Sequence, residues 1–279
     1  MTALIYCFDG TWNGRDDANP TNIQKLWRAM NRPGQMTAYF AGPGNEDENS
    51  WLMEKLGGAF GVGSWDIRDQ AIDHLASVYQ PDSRIAVLGF SRGAAIARMF
   101  CSQIAGHGIY GQYPDIEFLG CFDTVFARLP ITGWQQRTLF SDLHVAANVQ
   151  HAYHAVAVDE DRAAFTPNLM NQRDGITEVW FPGGHSDIGG GNPSTGLSDI
   201  ALEWMVDCAA DHGIACRLPV LAPDFMAPMT VSDQMLRHKP RRIGVKVRNR
   251  WADLPATLHE SVYHKQTYDP IYREKWKHL

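Results

Sequence analysis

Short apolar runs recur along the chain and alternate with segments whose apolar residues are spaced for one face of a helix. Runs this short, each followed by turn residues, predict buried strands. The predicted strands are residues 3–8, 37–40, 84–90, 116–122, 152–158 and 178–181, and the clearest helices are residues 65–79 and 200–210. This alternation predicts an α/β fold with a mainly parallel central sheet and helices on both faces.

Length and composition fit one globular domain. The chain has 279 residues, of which 44% are apolar and 20% are charged. A single α/β domain commonly reaches this size, so we expect one domain over residues 1–279. Residues 45–64 and 127–149 interrupt the alternating pattern, and we expect them to be loops that either cover a site or pack on the surface.

Charge and hydropathy exclude several classes of partner. With 25 Lys and Arg against 31 Asp and Glu, the net charge of −6 gives no general attraction for nucleic acid or an anionic membrane. The basic stretch 237–250 alternates apolar and polar residues, which predicts a strand with a solvated face. No signal peptide and no apolar run of the ~20 residues a spanning helix needs is present, so we expect no stable membrane insertion. Synthesis in the cytoplasm follows, with any export by a route independent of a signal peptide.

The five cysteines indicate neither a disulfide framework nor a metal site. Their number is odd, and their spacing matches no zinc motif. We therefore expect a reducing compartment and a protein that needs no cofactor.

The strongest chemical signal is the segment Gly89-Phe90-Ser91-Arg92-Gly93. It follows a predicted strand and opens an alanine-rich helix, which is the context of a nucleophile elbow. Such a turn holds its serine in a strained backbone conformation, and the flanking glycines let strand and helix approach closely. Ser91 is therefore the predicted nucleophile.

A serine nucleophile needs a histidine base and an acid, which follow it along the chain in this architecture. His185 is the predicted base because it lies in a glycine-rich segment just after a strand, and His259 is the second choice. Asp123 and Asp159 both follow strands. Asp123 stands alone among apolar neighbours and is favoured, because an isolated buried carboxylate needs a dedicated partner, but Asp159 stays open as the acid.

The oxyanion hole should combine two backbone donors. One is the N–H of Arg92, next to the nucleophile, and the other comes from the turn at Gly10 and Thr11 after the first strand. Asp9 would brace this turn, and Asp187 would support the segment around the histidine. A rival interpretation makes Asp9, His185 and Asp187 the ligands of a metal.

Six ordered motifs together resemble a known family. They are Phe8-Asp9-Gly10-Thr11-Trp12-Asn13, Gly89-Phe90-Ser91-Arg92-Gly93-Ala94, Phe122-Asp123-Thr124-Val125, Asp159-Glu160-Asp161-Arg162, residues 180–190 and His259-Glu260-Ser261-Val262. The chain resembles the largely uncharacterised α/β-hydrolase family that includes the phospholipase effectors of type VI secretion. This resemblance implies a serine hydrolase with Ser91 as nucleophile, His185 as base and Asp123 as acid, and a secretion-system or immunity protein as partner.

The sequence thus predicts an enzyme that cleaves a carboxylic ester, a lipid or another acyl ester, through an acyl-enzyme. Two alternatives come from other classes. The first is a catalytically silent hydrolase fold that serves as an interaction module, and the second is the metal-dependent hydrolase that would use Asp9 and its two partners.

Overall fold

The computed structural model describes residues 2–44, 62–126, 144–160, 162, 165–230 and 257–275. Most of the two predicted loops, and the whole basic stretch 237–250, lie outside these residues. No helix within the described ranges has the length and apolar character needed to cross a membrane.

Seven strands in the described part of the chain form one parallel sheet, in the order β2-β1-β3-β4-β5-β6-β7. They are β1 (Ala3–Phe8), β2 (Gln35–Phe40), β3 (Arg84–Phe90), β4 (Ile116–Phe122), β5 (Val149–Ala157), β6 (Ile176–Phe181) and β7 (Thr257–Leu258). Every residue of β1 is buried, as expected for a parallel strand covered on both faces.

Helices cover both faces of this sheet. In the described ranges they are α1 (Asn22–Met30), α2 (Val62–Val78), α3 (Arg92–His107), α4 (His185–Gly189), α5 (Gly196–Asp211), α6 (Glu260–Tyr268) and α7 (Pro270–Lys275). Helices α1 and α5 bury apolar residues against one face, together with Phe118 and Phe122 of β4. Helices α2 and α3 pack on the other face, against Leu119 and Cys121. The predicted α/β-hydrolase-like class is therefore confirmed.

The predicted elements differ from the observed ones mainly at their ends. Strands β5 and β6 start earlier than predicted, at Val149 and Ile176, because the residues there already pair with the neighbouring strand. The alanine-rich helix that the sequence predicts over residues 94–100 is α3, which starts at Arg92 and continues to His107. The glycine-rich segment that carries His185 reads as a loop in the sequence, but His185 is the first residue of the short helix α4.

The carboxyl ends of the parallel strands meet at one edge of the sheet, where ligands bind in open α/β folds. Strand β1 lies between β2 and β3, and the segments after β1, β3, β4 and β6 all emerge at this edge. These segments hold the favoured site residues, and the second choices Asp159 and His259 follow β5 and β7.

Candidate active site

Ser91 lies on a strained turn between β3 and α3. Its backbone has φ 58° and ψ −123°, a region that non-glycine residues rarely adopt. The Ser91 N–H donates to the carbonyl oxygen of Phe122, 3.0 Å away on the neighbouring strand. A Cβ on Gly93 would lie 2.3 Å from the carbonyl oxygens of Phe8 and Asp9, so the helix can start this close to β1 only with glycine there.

A matched pair of glycines in α3 tests this close approach. Gly93→Ala should destabilise the protein by roughly 1–3 kcal/mol, because the backbone atoms that a methyl group meets cannot rotate away. Gly106→Ala, in the same helix with nothing within 4 Å, should be neutral or should stabilise by up to about 1 kcal/mol. Chemical denaturation measures both changes. Equal effects of the two substitutions would contradict the packing argument.

The structure brings Ser91, His185 and Asp123 into one hydrogen-bonded chain. His185 Nε2 lies 2.8 Å from Ser91 Oγ, and His185 Nδ1 lies 2.7 Å from Asp123 Oδ2. The side chains come from the ends of β3, β4 and β6, which are far apart in sequence. All three residues are buried, with exposed fractions of 8%, 5% and 0%. The rings of Phe90 and Phe165 flank the imidazole, with centroids 4.7 and 4.8 Å from its own.

Asp123 is held in the ionised form. Burial by itself raises the pKa of this carboxyl, but the hydrogen bond and charge of His185 and the N–H of Ala157 outweigh it and hold the pKa below its usual value. The Ala157 N–H donates to Oδ1 at 3.0 Å, which leaves Oδ2 for the imidazole. An ionised acceptor at Nδ1 keeps the proton on that nitrogen and leaves Nε2 as the base toward Ser91.

Asp159, the alternative acid, has other contacts. Its carboxylate accepts from the N–H of Gly183 at 2.7 Å, and its own N–H donates to the Gly183 carbonyl at 2.9 Å. This pair of bonds fixes the start of the segment that carries His185. Of the two candidate acids, Asp123 is the one whose carboxylate contacts the imidazole.

The structure of the turn after β1 shows that one of the predicted oxyanion donors is wrong. The Gly10 N–H donates to Asp9 Oδ1 at 2.7 Å, so it is not available to a substrate. In the described part of the chain, the Thr11 N–H has no acceptor. Arg92 is the first residue of α3, where backbone N–H groups point out of the start of the helix. Thr11 and Arg92 therefore remain as the candidate donors.

Asp9 braces the turn from below. Its Oδ2 accepts from Thr21 Oγ1 at 2.8 Å and from the Tyr39 hydroxyl at 2.7 Å, in addition to the Gly10 bond at Oδ1. Burial raises the pKa of Asp9 to about 6, although these hydrogen bonds lower it. The carboxylate is occupied by neutral donors, which fits the predicted bracing role.

The raised pKa of Asp9 predicts a pH effect on stability. Between about pH 4 and 6 the folded chain keeps a proton that the unfolded chain has released, so Asp9 lowers the free energy of unfolding as the pH rises through this window. Asp9→Asn removes this titration. From pH 4 to 7 the substituted protein should therefore gain roughly 2 kcal/mol relative to the wild type, at about 1.4 kcal/mol per pKa unit and with the unfolded carboxyl already partly ionised at pH 4. Urea unfolding at both pH values measures it, and parallel pH profiles of the two proteins would contradict it.

Asp187 ties α4 to a more distant segment. Its carboxylate accepts from the Gly184 N–H at 2.9 Å, and from the N–H and hydroxyl of Thr230 at 2.9 and 2.5 Å. Within the described ranges, no three His, Cys, Asp or Glu side chains are placed so that they could hold a metal ion. The rival interpretation with Asp9, His185 and Asp187 as metal ligands is therefore wrong.

Sequence reasoning missed a role for Glu160. This buried carboxylate accepts from the backbone N–H of His185 at 3.1 Å and forms a two-bond ion pair with Arg162, both bonds 2.8 Å long. The Arg162 guanidinium lies 3.6 Å from the ring centroid of Phe165, which packs on the edge of the imidazole. Glu160 thus holds both the backbone of His185 and one wall beside its ring. The charged motif at residues 159–162 is the sequence feature from which this role of Glu160 could have been predicted.

His259, the second choice for the base, lies outside the Ser91–Asp123 chain. Its ring stacks on Phe181 with centroids 4.5 Å apart, and its Nδ1 accepts from the N–H of Ser261 at the start of α6. Burial lowers the pKa of this imidazole. His259 caps a helix.

Comparisons with known proteins agree with this architecture. The family described as "T6SS, Phospholipase effector Tle1-like, catalytic domain" matches the chain over residues 2–115 and 107–208. No curated protein matches it.

The solved structures that are similar to the chain include the following three. An uncharacterized protein from Pseudomonas aeruginosa is 20% identical with a TM-score of 0.56, and the match covers 85% of this chain and 50% of that one. The Tle1 effector bound to the VgrG spike of the type 6 secretion system is 22% identical, with a TM-score of 0.47 and coverage of 70% and 52%. The NocB thioesterase domain is 13% identical, with a TM-score of 0.41 and coverage of 74% and 93%. The chain spans about half the length of the first two.

Proposed function

The chain belongs to the family of Tle1-like phospholipase effectors of the type VI secretion system, by its catalytic domain, and from this premise we propose that it is a serine hydrolase that cleaves a carboxylic ester through an acyl-enzyme. The observation that carries the proposal is the hydrogen-bonded chain from Asp123 through His185 to Ser91 Oγ. An oriented base in contact with a serine on a strained turn is the arrangement that activates a hydroxyl.

Acylation begins with proton transfer from Ser91 Oγ to His185 Nε2. The oxygen attacks the carbonyl carbon of the ester, and the N–H groups of Arg92 and Thr11 donate to the oxyanion that forms; one such donor is worth roughly 3 kcal/mol. Asp123 stabilises the imidazolium through Nδ1–H. When the tetrahedral intermediate collapses, the bond to the alcohol oxygen breaks and His185 returns the proton to the leaving alcohol.

Deacylation repeats these steps with water. His185 Nε2 takes a proton from a water molecule, the hydroxide attacks the acyl carbon, and the Ser91 oxygen leaves with the proton from His185. The sum is one ester and one water converted to one acid and one alcohol. The groups of this chain are sufficient for each proton transfer, so the proposed reaction uses no cofactor.

The family supports a lipid ester as the substrate, and we include phospholipids and other acyl esters in the proposal. Membership of an effector family also supports a partner in the secretion apparatus and a cognate immunity protein, with export by a route independent of a signal peptide. The net charge of −6 favours neither nucleic acid nor an anionic surface as a partner.

An ester panel tests this function. The purified protein should hydrolyse p-nitrophenyl butyrate and release fatty acid from phosphatidylcholine vesicles, at rates unchanged by EDTA. Hydrolysis of the soluble ester without release of fatty acid from the vesicles would support the proposed mechanism and contradict a lipid as the substrate. Absence of hydrolysis of every ester by a folded protein would contradict the proposal and favour the silent interaction module.

A further inference from the structure

A second histidine–carboxylate pair lies beside the hydrogen-bonded chain of Ser91, His185 and Asp123. His154 of β5 is fully buried, and the strand register places it between Cys121 of β4 and Glu178 of β6. These three residues form a row across the sheet, on the face that α3 covers. Cys121, at one end of this row, lies two positions before Asp123 in the chain.

The hydrogen bonds of His154 fix its protonation state. Its Nε2 lies 3.0 Å from the backbone nitrogen of Thr124, which can only donate, so Nε2 is the acceptor. Its Nδ1 lies 2.8 Å from Glu178 Oε2 and therefore carries the hydrogen. Burial raises the pKa of Glu178, but the hydrogen bonds from His154 and the Met170 N–H, together with the nearby charge of Arg98, outweigh it and hold the pKa below its usual value. The pair is a neutral imidazole held by an ionised carboxylate.

The segment that His154 contacts is a strained turn of residues 123–126, here named the acid turn. Asp123 has φ 37°, in the left-handed region, which costs on the order of 1–3 kcal/mol unless the surroundings enforce it. Each N–H of the turn donates to one acceptor. In chain order, these are the carbonyl of Ala155 at 2.7 Å, His154 Nε2 at 3.0 Å, the carbonyl of Ser91 at 3.2 Å and Asn168 Oδ1 at 2.9 Å.

We propose that His154, oriented by Glu178, is a positioning residue that fixes the acid turn and so keeps Asp123 on His185. This inference rests on the proposed function of Ser91, His185 and Asp123. The Thr124 N–H directly follows the strained residue, and His154 is the side chain that accepts from it. Without that acceptor a buried N–H is left unpaired, which favours a different turn conformation. A shift of about 1 Å in the carboxylate is enough to cost roughly 100-fold in rate.

Two substitutions separate positioning from simple core packing. His154→Gln keeps an acceptor oxygen near the position of Nε2, whereas His154→Leu fills the space with no acceptor. We expect His154→Leu to lower kcat about 100-fold with little change in KM, and His154→Gln to restore most of it. In proton NMR, the low-field signal of the His185 Nδ1–H bound to Asp123 should persist in the Gln variant and disappear in the Leu variant.

Several outcomes overturn the inference. One is a Leu variant that keeps both full activity and the low-field signal, and another is equal loss in the two variants. If the Leu variant does not fold, nitrogen NMR of the wild-type ring decides, since a protonated Nε2 on His154 would refute the acceptor role and a bare Nε2 with protonated Nδ1 would support it. If the wild type hydrolyses no ester, the proposed function fails while the NMR signals still decide the positioning.

Discussion

Replacing Ser91 with alanine is expected to lower kcat for a soluble ester by about 10⁶-fold, down to the residual rate given by binding and oxyanion stabilisation. The reason is the contact of 2.8 Å between Ser91 Oγ and His185 Nε2, through which the proton leaves as the oxygen attacks. The free energy of unfolding should not fall, because the substitution removes no backbone hydrogen bond. The N–H and C=O groups of residue 91 keep their partners.

Ser77→Ala is the matched control. This exposed serine lies on α2, and its hydroxyl donates only to a carbonyl of its own helix, that of His74. Hydrolysis of p-nitrophenyl butyrate and thermal unfolding should be measured on both variants and on the wild type. If the Ser91 variant retains turnover comparable with that of the Ser77 variant, the nucleophile is elsewhere.

Asp123→Asn is expected to have the second large effect and to lower kcat by about 10⁴-fold. The amide can present an N–H to His185 Nδ1, which would force the hydrogen onto Nε2 and remove the base that faces Ser91. The fold around the residue should persist, because the side-chain oxygen can still accept from the Ala157 N–H.

Asp159→Asn supplies the comparison for the acid. The Asp159 carboxylate accepts from the Gly183 N–H, a hydrogen bond that an amide oxygen can keep. The activity of the Asp159→Asn protein should therefore stay within about tenfold of the wild type. Steady-state kinetics on the two variants give the ranking. A larger loss from Asp159→Asn would move the acid to the end of β5.

The elbow was predictable because its chemistry is local. A strand, two spaced glycines around a serine and a run of small helix residues all lie within a few positions of one another. Packing supplies the reason for the second glycine, since a Cβ on Gly93 would meet the backbone at the end of β1. His185 was predicted as the base from its glycine-rich segment, and the structure shows that it begins the short helix α4.

The choice between the two acids depends on contacts between strands. Asp123 and Asp159 both follow buried strands, and only the packed sheet shows that one carboxylate meets the imidazole while the other binds Gly183. The Gly10 donor was mispredicted for a similar reason. Asp9 bonds the N–H of the next residue, and the sequence does not show which acceptor a turn N–H selects.

His154 shows the limit of sequence patterns most clearly. In the sequence it is one polar residue inside an apolar run, which is typical of an ordinary strand position. Its neighbours in the row, Cys121 and Glu178, are 33 positions before it and 24 positions after it in the chain. Only the register of three parallel strands brings the imidazole between a carboxylate and the acid turn.

The proposed mechanism requires Ser91 Oγ to be the oxygen that becomes acylated, and covalent labelling identifies that oxygen. The wild-type protein is treated with a fluorophosphonate, digested, and analysed by tandem mass spectrometry to locate the phosphonyl group. We expect one modified residue, Ser91, and no label on the Ser91→Ala protein. A label on another residue, or an unlabelled protein that still hydrolyses esters, would contradict the proposed mechanism.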